Sequence, residues 1–564
     1  MRALLVPLAI TLLDCGGAHR PRDVSQVPIG ASSATTSTAD SDALLEKMLA
    51  DRDRVEDQAM SAWYDPKLVV ANVRPEALQN LESTTGPLDE LPFYDLDLDV
   101  QPAAQTFMLE ERVYFQNRSS QPLADLMFRI YANTVGAGEP PEKLARGHCV
   151  ATACTVEVAG RDTLVVHPAE PLAPGARIRV VFRIIGSLET IDAERTTMNG
   201  AAMSSLKTLM SGGDGDYGLL AVGDDILSFG NFYPVLARRG DGDWDLDPST
   251  VGDLGPDALS HVRAHIEVPS GTVVAASGVV TRDEDAGGRH RVDIAAGCMR
   301  DIAFFASDKF TSAERFEDGV KVRSYFRTTE RAMGEKVLDV AAWALRDFQK
   351  RFGPYPYREL DIVEQALVGG AGGVEFAGLA TVASMFYKAF VEESTAEFTT
   401  AHEVGHQWWH GIVGSDSRSH PWQDEAMAQF SAMLYAEDRY GAARAKRDGD
   451  ANARLSYATM RMLGNPDDAV DAPAGHQSQI VYGGLVYGKG PYYLVALRKQ
   501  LGDAAFFGAL RAYVKQYYLG FAPPHAIEDA MARAAGSDGL KIQSLSHRWL
   551  LEAHGDEDVG KDVH

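Results

Sequence analysis

The sequence predicts an α+β multidomain protein, an amino-terminal all-β domain followed by a mostly helical one, and two changes of periodicity carry that reading. Ahead of about residue 310 apolar residues alternate. Ile178, Val180, Phe182 and Ile184 interleave with Arg177, Arg179, Val181 and Arg183 just after a Pro174 and Gly175 turn, the period-two pattern of a half-buried strand. From about residue 330 the spacing becomes helical: Val337, Val340, Ala341, Ala344, Leu345 and Phe348 share a face until Gly353 and Pro354 stop the run. A chain of 564 residues that is 45% hydrophobic has more apolar content than one compact domain uses.

The elements follow in order. Met1 and Arg2 precede an apolar run, Ala3 to Leu13, too short to span a bilayer, so residues 1–15 read as an export signal. Its end, Leu12, Leu13, Asp14 and Cys15, resembles the lipobox of bacterial lipoproteins, with Asp14 where a small residue is usual. An exported protein is expected, periplasmic, held to a membrane by lipid on Cys15, or extracellular. Residues 16–89 read as a tether, small and polar at 31–41, and a short helical lead-in around 42–62. Residues 90–312 read as a β-sheet domain, with Val262, Ala264, Ile266 and Val268 repeating the alternation and Ile302 to Ala306 forming a further strand. Residues 313–564 read as a second domain with a helical carboxy-terminal part, interrupted near 358–383 by β-like stretches, Leu360 to Val363 and Leu379 to Val382, that flank a glycine-rich turn.

Charge and cysteine content narrow the chemistry. The 79 acidic and 54 basic residues give a net charge of -25, which excludes a nucleic-acid surface. Four cysteines provide neither a disulfide scaffold nor a cysteine-built metal cluster, so a metal would need histidines and carboxylates. Cys149 and Cys154 either close a small disulfide loop or stay as two buried thiols, and Cys298 is left over.

Thr399 to His410 (TTAHEVGHQWWH) places His402 and His406 four residues apart, one turn of a helix, with Glu403 beside them. Catalytic zinc takes three protein ligands and keeps a fourth position open. The third candidate is Glu425, in a second helix (WQDEAMAQF) beyond a loop holding Gly414 and Pro421; two antiparallel helices would return its carboxylate to the ion. A metzincin site would need glycine at 409 and histidine at 412, where Trp409 and Ile412 stand. His410 is expected one further helical turn along the same face, too far down the axis to serve as a ligand. With one Zn2+ in place, water is activated and the scissile carbonyl polarised, while Glu403 takes the proton and passes it to the leaving amine.

With this helix pair, the sequence resembles the M1 family of zinc aminopeptidases, members of the gluzincins. The resemblance spans roughly residues 90–564 and implies a saddle-like β domain followed by a thermolysin-like zinc peptidase domain. Two further segments carry it. Gly372 to Leu379 (GGVEFAGL) is similar to the family's Gly-x-Met-Glu-Asn strand, which implies that Glu375 binds the substrate's α-amine; Val374 and Phe376 replace the family Met and Asn. Tyr487, in YGKG, matches the family tyrosine that stabilises the oxyanion. Gly369, Gly370, Gly372 and Gly373 have no Lys-Ser or Lys-Thr pair after them, so Gly372 and Gly373 read as room for a peptide backbone rather than a phosphate loop.

The function expected is removal of amino-terminal residues from peptides with a free amino terminus. A zinc endopeptidase or other zinc hydrolase on the same scaffold, and an inactive peptide-binding module, are the alternatives. The sequence sets no oligomeric state and no preferred substrate side chain.

Overall fold

The computed structural model describes residues 3–5 and 65–560, apart from 137, 212–215, 241–242, 247–250, 253–254, 256–257 and 389–392. Cys15, the tether and the helix expected near 42–62 lie outside the described residues.

The first half is built on a seven-stranded sheet. Across it run Val279–Ala286, Arg289–Met299, Ser260–Pro269, Phe93–Gln101, Thr106–Gln116, Arg177–Ser187 and Glu142–Cys149. All neighbours are antiparallel except Ser260–Pro269 and Phe93–Gln101. Alternation sorts the faces: Leu96, Leu98, Val180, Ile184, Val262 and Ile266 are buried, while the opposite face carries charges paired across the strands. Asp95 lies opposite both Arg112 and Arg263 and accepts from Arg263 Nε and Nη2 at 2.8 and 2.6 Å; Arg112 Nη1 donates to Asp97 at 2.8 Å. Sheets of five, four and two strands accompany it among the described residues. The expected strands appear as Arg177–Ser187, Ser260–Pro269 and Ala303–Ser307. Two α-helices, Tyr131–Thr134 and Met198–Ser211, interrupt the described β region where only strands were expected. Cys149 and Cys154 are joined in a disulfide, and Cys298 is a buried free thiol.

The fold class read from the sequence is the one observed, although the strand Phe310–Glu317 runs across the boundary expected at 312. It forms a hairpin with Val320–Arg327, turning through Asp318 and Gly319 at positive φ, and Val320–Arg327 pairs in parallel with Glu359–Gln365. The hairpin thereby joins the six-stranded sheet of the second half, in the order Ala3–Leu5, Ala371–Phe376, Leu379–Ala383, Glu359–Gln365, Val320–Arg327, Phe310–Glu317. The long helix Arg331–Phe352 buries the apolar face read from its spacing and stops at Gly353, φ 128°. Helices dominate from Glu393–Gly405 onward. No described helix is long and apolar enough to cross a membrane.

Inside the β region two carboxyl side chains, Glu111 and Glu142, are fully buried with no hydrogen-bond partner. Burial pushes Glu142 up to about 8; burial and then the charge of Glu142 push Glu111 well above the usual carboxyl range. An acid whose folded pKa lies above its unfolded value folds best protonated. Its cost therefore begins as pH rises past the unfolded value of about 4.5 and is complete above the folded one. Glu142→Gln is expected to shrink the fall in melting temperature between pH 5.5 and 8.5 by a few degrees, and a fall identical to the parent's in a calorimetric scan refutes this origin.

Candidate metal centre

The site is assembled by two antiparallel helices and one strand. The helix Glu393–Gly405 ends just before His406, whose N–H still donates to the His402 carbonyl at 3.2 Å; beyond it the chain tightens, with Gln407 N donating to Val404 O and Trp408 N to Gly405 O. The His406 N–H bond to His402 O holds the two imidazoles one turn apart, ring centroids 4.6 Å from each other. His410 does not continue the face as expected. Its φ is 108°, its N–H donates to Val413 O, and its carbonyl accepts from Arg300 Nε at 2.7 Å. A short 3₁₀ turn, Pro421–Gln423, leads into the helix Glu425–Tyr440, so the Glu425 carboxylate opens that helix, where the dipole favours it. Gly405 lets the helices close on each other: a Cβ there would lie 3.1 Å from Ser431 Cβ and 3.3 Å from Ala428 Cα.

The donor set fits a zinc ion. His402 Nε2 and His406 Nε2 are 2.9 Å apart, and Glu425 Oε2 is 3.3 and 3.2 Å from them. Tetrahedral zinc with bonds of about 2.0–2.1 Å has ligand-to-ligand edges of about 3.3 Å. The tautomers agree. His402 Nδ1 faces Gln429 Oε1 at 3.1 Å and His406 Nδ1 faces Asp424 Oδ1 at 2.7 Å, so both Nδ1 atoms donate and both Nε2 atoms turn lone pairs toward Glu425 Oε2, which itself finds no hydrogen-bond donor. Three electron pairs at this spacing call for a cation. Burial, reinforced by the charge of His406, pushes His402 down to about 4. Without an ion, burial also works to lower His406, but Glu375, Glu425 and Asp424 outweigh it and raise its pKa well above the usual value, so that a proton on His406 is the alternative to a metal cation among the three donors.

The strand Ala371–Phe376 lies alongside. Glu403 rests against its glycine: a Cβ on Gly373 would stand 2.4 Å from Glu403 Oε1 and 2.6 Å from the Thr381 carbonyl. Gly372 precedes it on the same buried strand. Glu375 is 5% exposed, its Oε1 3.5 Å from His406 Nδ1. Tyr487, 2% exposed, stacks on His402 with ring centroids 6.0 Å apart and is hydrogen-bonded to Glu425; burial and then the Glu425 charge push its phenol well above the usual range. All eight residues singled out from the sequence thus converge on one site.

Three residues that sequence reasoning passed over organise it. Asp424 and Gln429 fix the two imidazoles, and Gln429 also donates to the Tyr487 carbonyl at 3.4 Å. Gln407 bridges the end of the ligand helix to the strand, donating to Phe376 O and accepting from Gly378 N, both at 2.9 Å. The signal was available for Gln429, which sits four residues after Glu425 on one helix face; Asp424 and Gln407 flank ligands and have no spacing rule of their own.

Fold and site together define a metallopeptidase-type centre on a two-part α+β scaffold. Residues 337–549 match the family model of the Peptidase family M1 domain. Aminopeptidase M1-A of Oryza sativa subsp. japonica is 25% identical over 243 residues, 42% of this chain and 27% of its own length, and Aminopeptidase N of Lactobacillus delbrueckii subsp. lactis is 26% identical over 223 residues, 38% and 26%. The chain thus spans about a quarter of the length of these curated relatives. Crystal structures of an M1 zinc metallopeptidase from Deinococcus radiodurans share the fold at TM-score 0.56, with 18% identity over 82% of this chain and 94% of that one; a mutant of it bound to a Tyr-Ser-Ala substrate gives 0.57. The second half of the chain is thus similar to peptidase family M1, and that similarity together with the His-His-Glu site implies zinc.

Asp424→Asn is expected to weaken zinc binding about 10- to 100-fold in a chelator competition, because His406 loses a charged partner; unchanged affinity would show that the carboxylate does not tune the ligand. Gly373→Ala is expected to keep zinc content while lowering kcat at least about tenfold, because Glu403 must move.

Proposed function

We propose that the protein is a zinc aminopeptidase that removes residues from the free amino terminus of peptides. The observation that carries this reading is Glu375: a buried carboxylate on the strand beside the metal ligands, where an ammonium group is the natural counter-charge. Anchoring the α-amine there would measure one residue from the end of the chain to the reacting carbonyl. One zinc ion on His402, His406 and Glu425 would supply a Lewis acid and lower the pKa of a water to about 7. Glu403, which lies against Gly373, would take a proton from water and hand it to the leaving amine. Tyr487 keeps its proton across the neutral range and so can donate a hydrogen bond to a developing oxyanion. Gly372 and Gly373, without side chains, leave room for a substrate backbone along the strand.

The outer edge of that strand already accepts an extended segment: Ala3–Leu5 pairs with it antiparallel, Ala3 opposite Val374 and Leu5 opposite Ala371. In this reading residues 1–15 are an export signal, and their removal frees the edge for substrate. The Cys149–Cys154 disulfide supports an exported protein, periplasmic or lipid-anchored at Cys15, because such bonds persist in oxidising compartments.

The test is a panel of aminoacyl reporter amides, each with and without an acetylated amine. Free-amine substrates are expected to be cut and acetylated ones spared, with Glu403→Ala inactive and Glu375→Ala losing the discrimination. Equal cutting of both sets would make the protein an endopeptidase or general zinc hydrolase; no turnover by zinc-loaded protein would make it a peptide-binding module.

A further inference from the structure

Tyr487 lies in a π-helical turn, Gly483–Lys489, rather than in a regular helix. Such turns are rare and need to be held in place. Three glycines let this one pack without clearance: a Cβ on Gly484 would stand 2.5 Å from Met460 Cβ, on Gly488 2.7 Å from Tyr457 N, and on Gly490 2.7 Å from Ala426 Cβ, next to the ligand Glu425. These contacts fix the sides of the turn. Its far end is fixed by a charge.

Lys489 is 1% exposed, two residues beyond Tyr487. Its ammonium donates to Asp467 Oδ1 at 3.1 Å, Asp468 O at 2.9 Å and Glu552 O at 2.8 Å. A lysine ammonium has three donors, and all three are used. The Asp467 side chain is buried as well, and its Oδ2 accepts from Gly555 N at 2.6 Å. The pair therefore joins three pieces of chain: the Tyr487 turn, the loop at Asp467 and Asp468, and the segment that follows the helix Gly539–Leu551. Burying two charges yields little net stability, so their value lies in geometry that neutral packing would leave looser.

We propose that Lys489 is a positioning residue for Tyr487: its buried ammonium pins the π-turn to Asp467 and to the carboxy-terminal segment, and so sets where the tyrosine hydroxyl stands relative to the metal ligands. This rests on the reading of Tyr487 as the oxyanion donor.

The experiment is a double-mutant cycle on the full-length zinc protein with the free-amine reporter amide that is turned over fastest. Lys489→Met keeps length and removes the charge. It is expected to lower kcat about a hundredfold with KM changed less than about threefold and zinc content retained. On a Tyr487→Phe background the same substitution is expected to change kcat less than about threefold, because the hydroxyl it positions is gone. Equal losses with and without the hydroxyl, or parental kcat in Lys489→Met, would overturn the proposal. If Lys489→Met does not fold, Asp467→Asn, which keeps the side chain's size, decides on the same two backgrounds. If Tyr487→Phe alone leaves kcat at the parental value, the functional reading of Tyr487 fails, and this inference with it.

Discussion

Everything at the centre of this protein depends on three lone pairs being forced to face one another. Two imidazole nitrogens and a carboxylate oxygen stand 2.9–3.3 Å apart in a buried pocket, each turned inward because its other side is committed to a partner. Like partial charges at that distance repel unless a cation lies between them. The surrounding architecture can be read as the machinery that maintains the arrangement: Gly405 closes the two helices, Asp424 and Gln429 lock the rings, and Gln407 ties the ligand helix to the neighbouring strand.

The same site concentrates acid. Glu375, Glu403, Asp424 and Glu425 are all buried within one pocket against two histidines and a tyrosine. One divalent ion offsets only part of that charge, so the remaining potential favours a second positive group, a role that the proposed function gives to the amino terminus of a peptide. Elsewhere the protein treats buried carboxylates in two ways. Asp361 and Glu364 are matched by Arg323 and Arg327, whereas Glu111 and Glu142 are left to protonate.

How much of this was legible depended on the range of the interaction. The ligands were readable because zinc imposes a helical spacing on His402 and His406, and the strands and the long helix were readable because a half-buried element writes its period into the chain. Glu375 and Tyr487 became legible only through a family resemblance, since a single glutamate in a strand or a tyrosine in a helix carries no periodic mark. What stayed hidden was non-local. His410 leaves the helix where the chain folds back on itself, its N–H donating to Val413 O and its carbonyl accepting from Arg300, a tertiary override of local spacing. The reach of Lys489 to Asp467 and Glu552 spans 22 and 63 positions, and no window of sequence contains it.

The hairpin Phe310–Arg327 has a consequence for how the molecule can be divided. Although its first strand begins in the stretch of chain that reads as the end of the β domain, its hydrogen bonds belong to the sheet that supports the metal centre. A fragment beginning at residue 313 would start in the middle of a strand and leave Val320–Arg327 with a ragged partner, an edge prone to pair with another molecule. The two halves share a seam rather than a linker, and proteolytic nicking would find no clean cut between them.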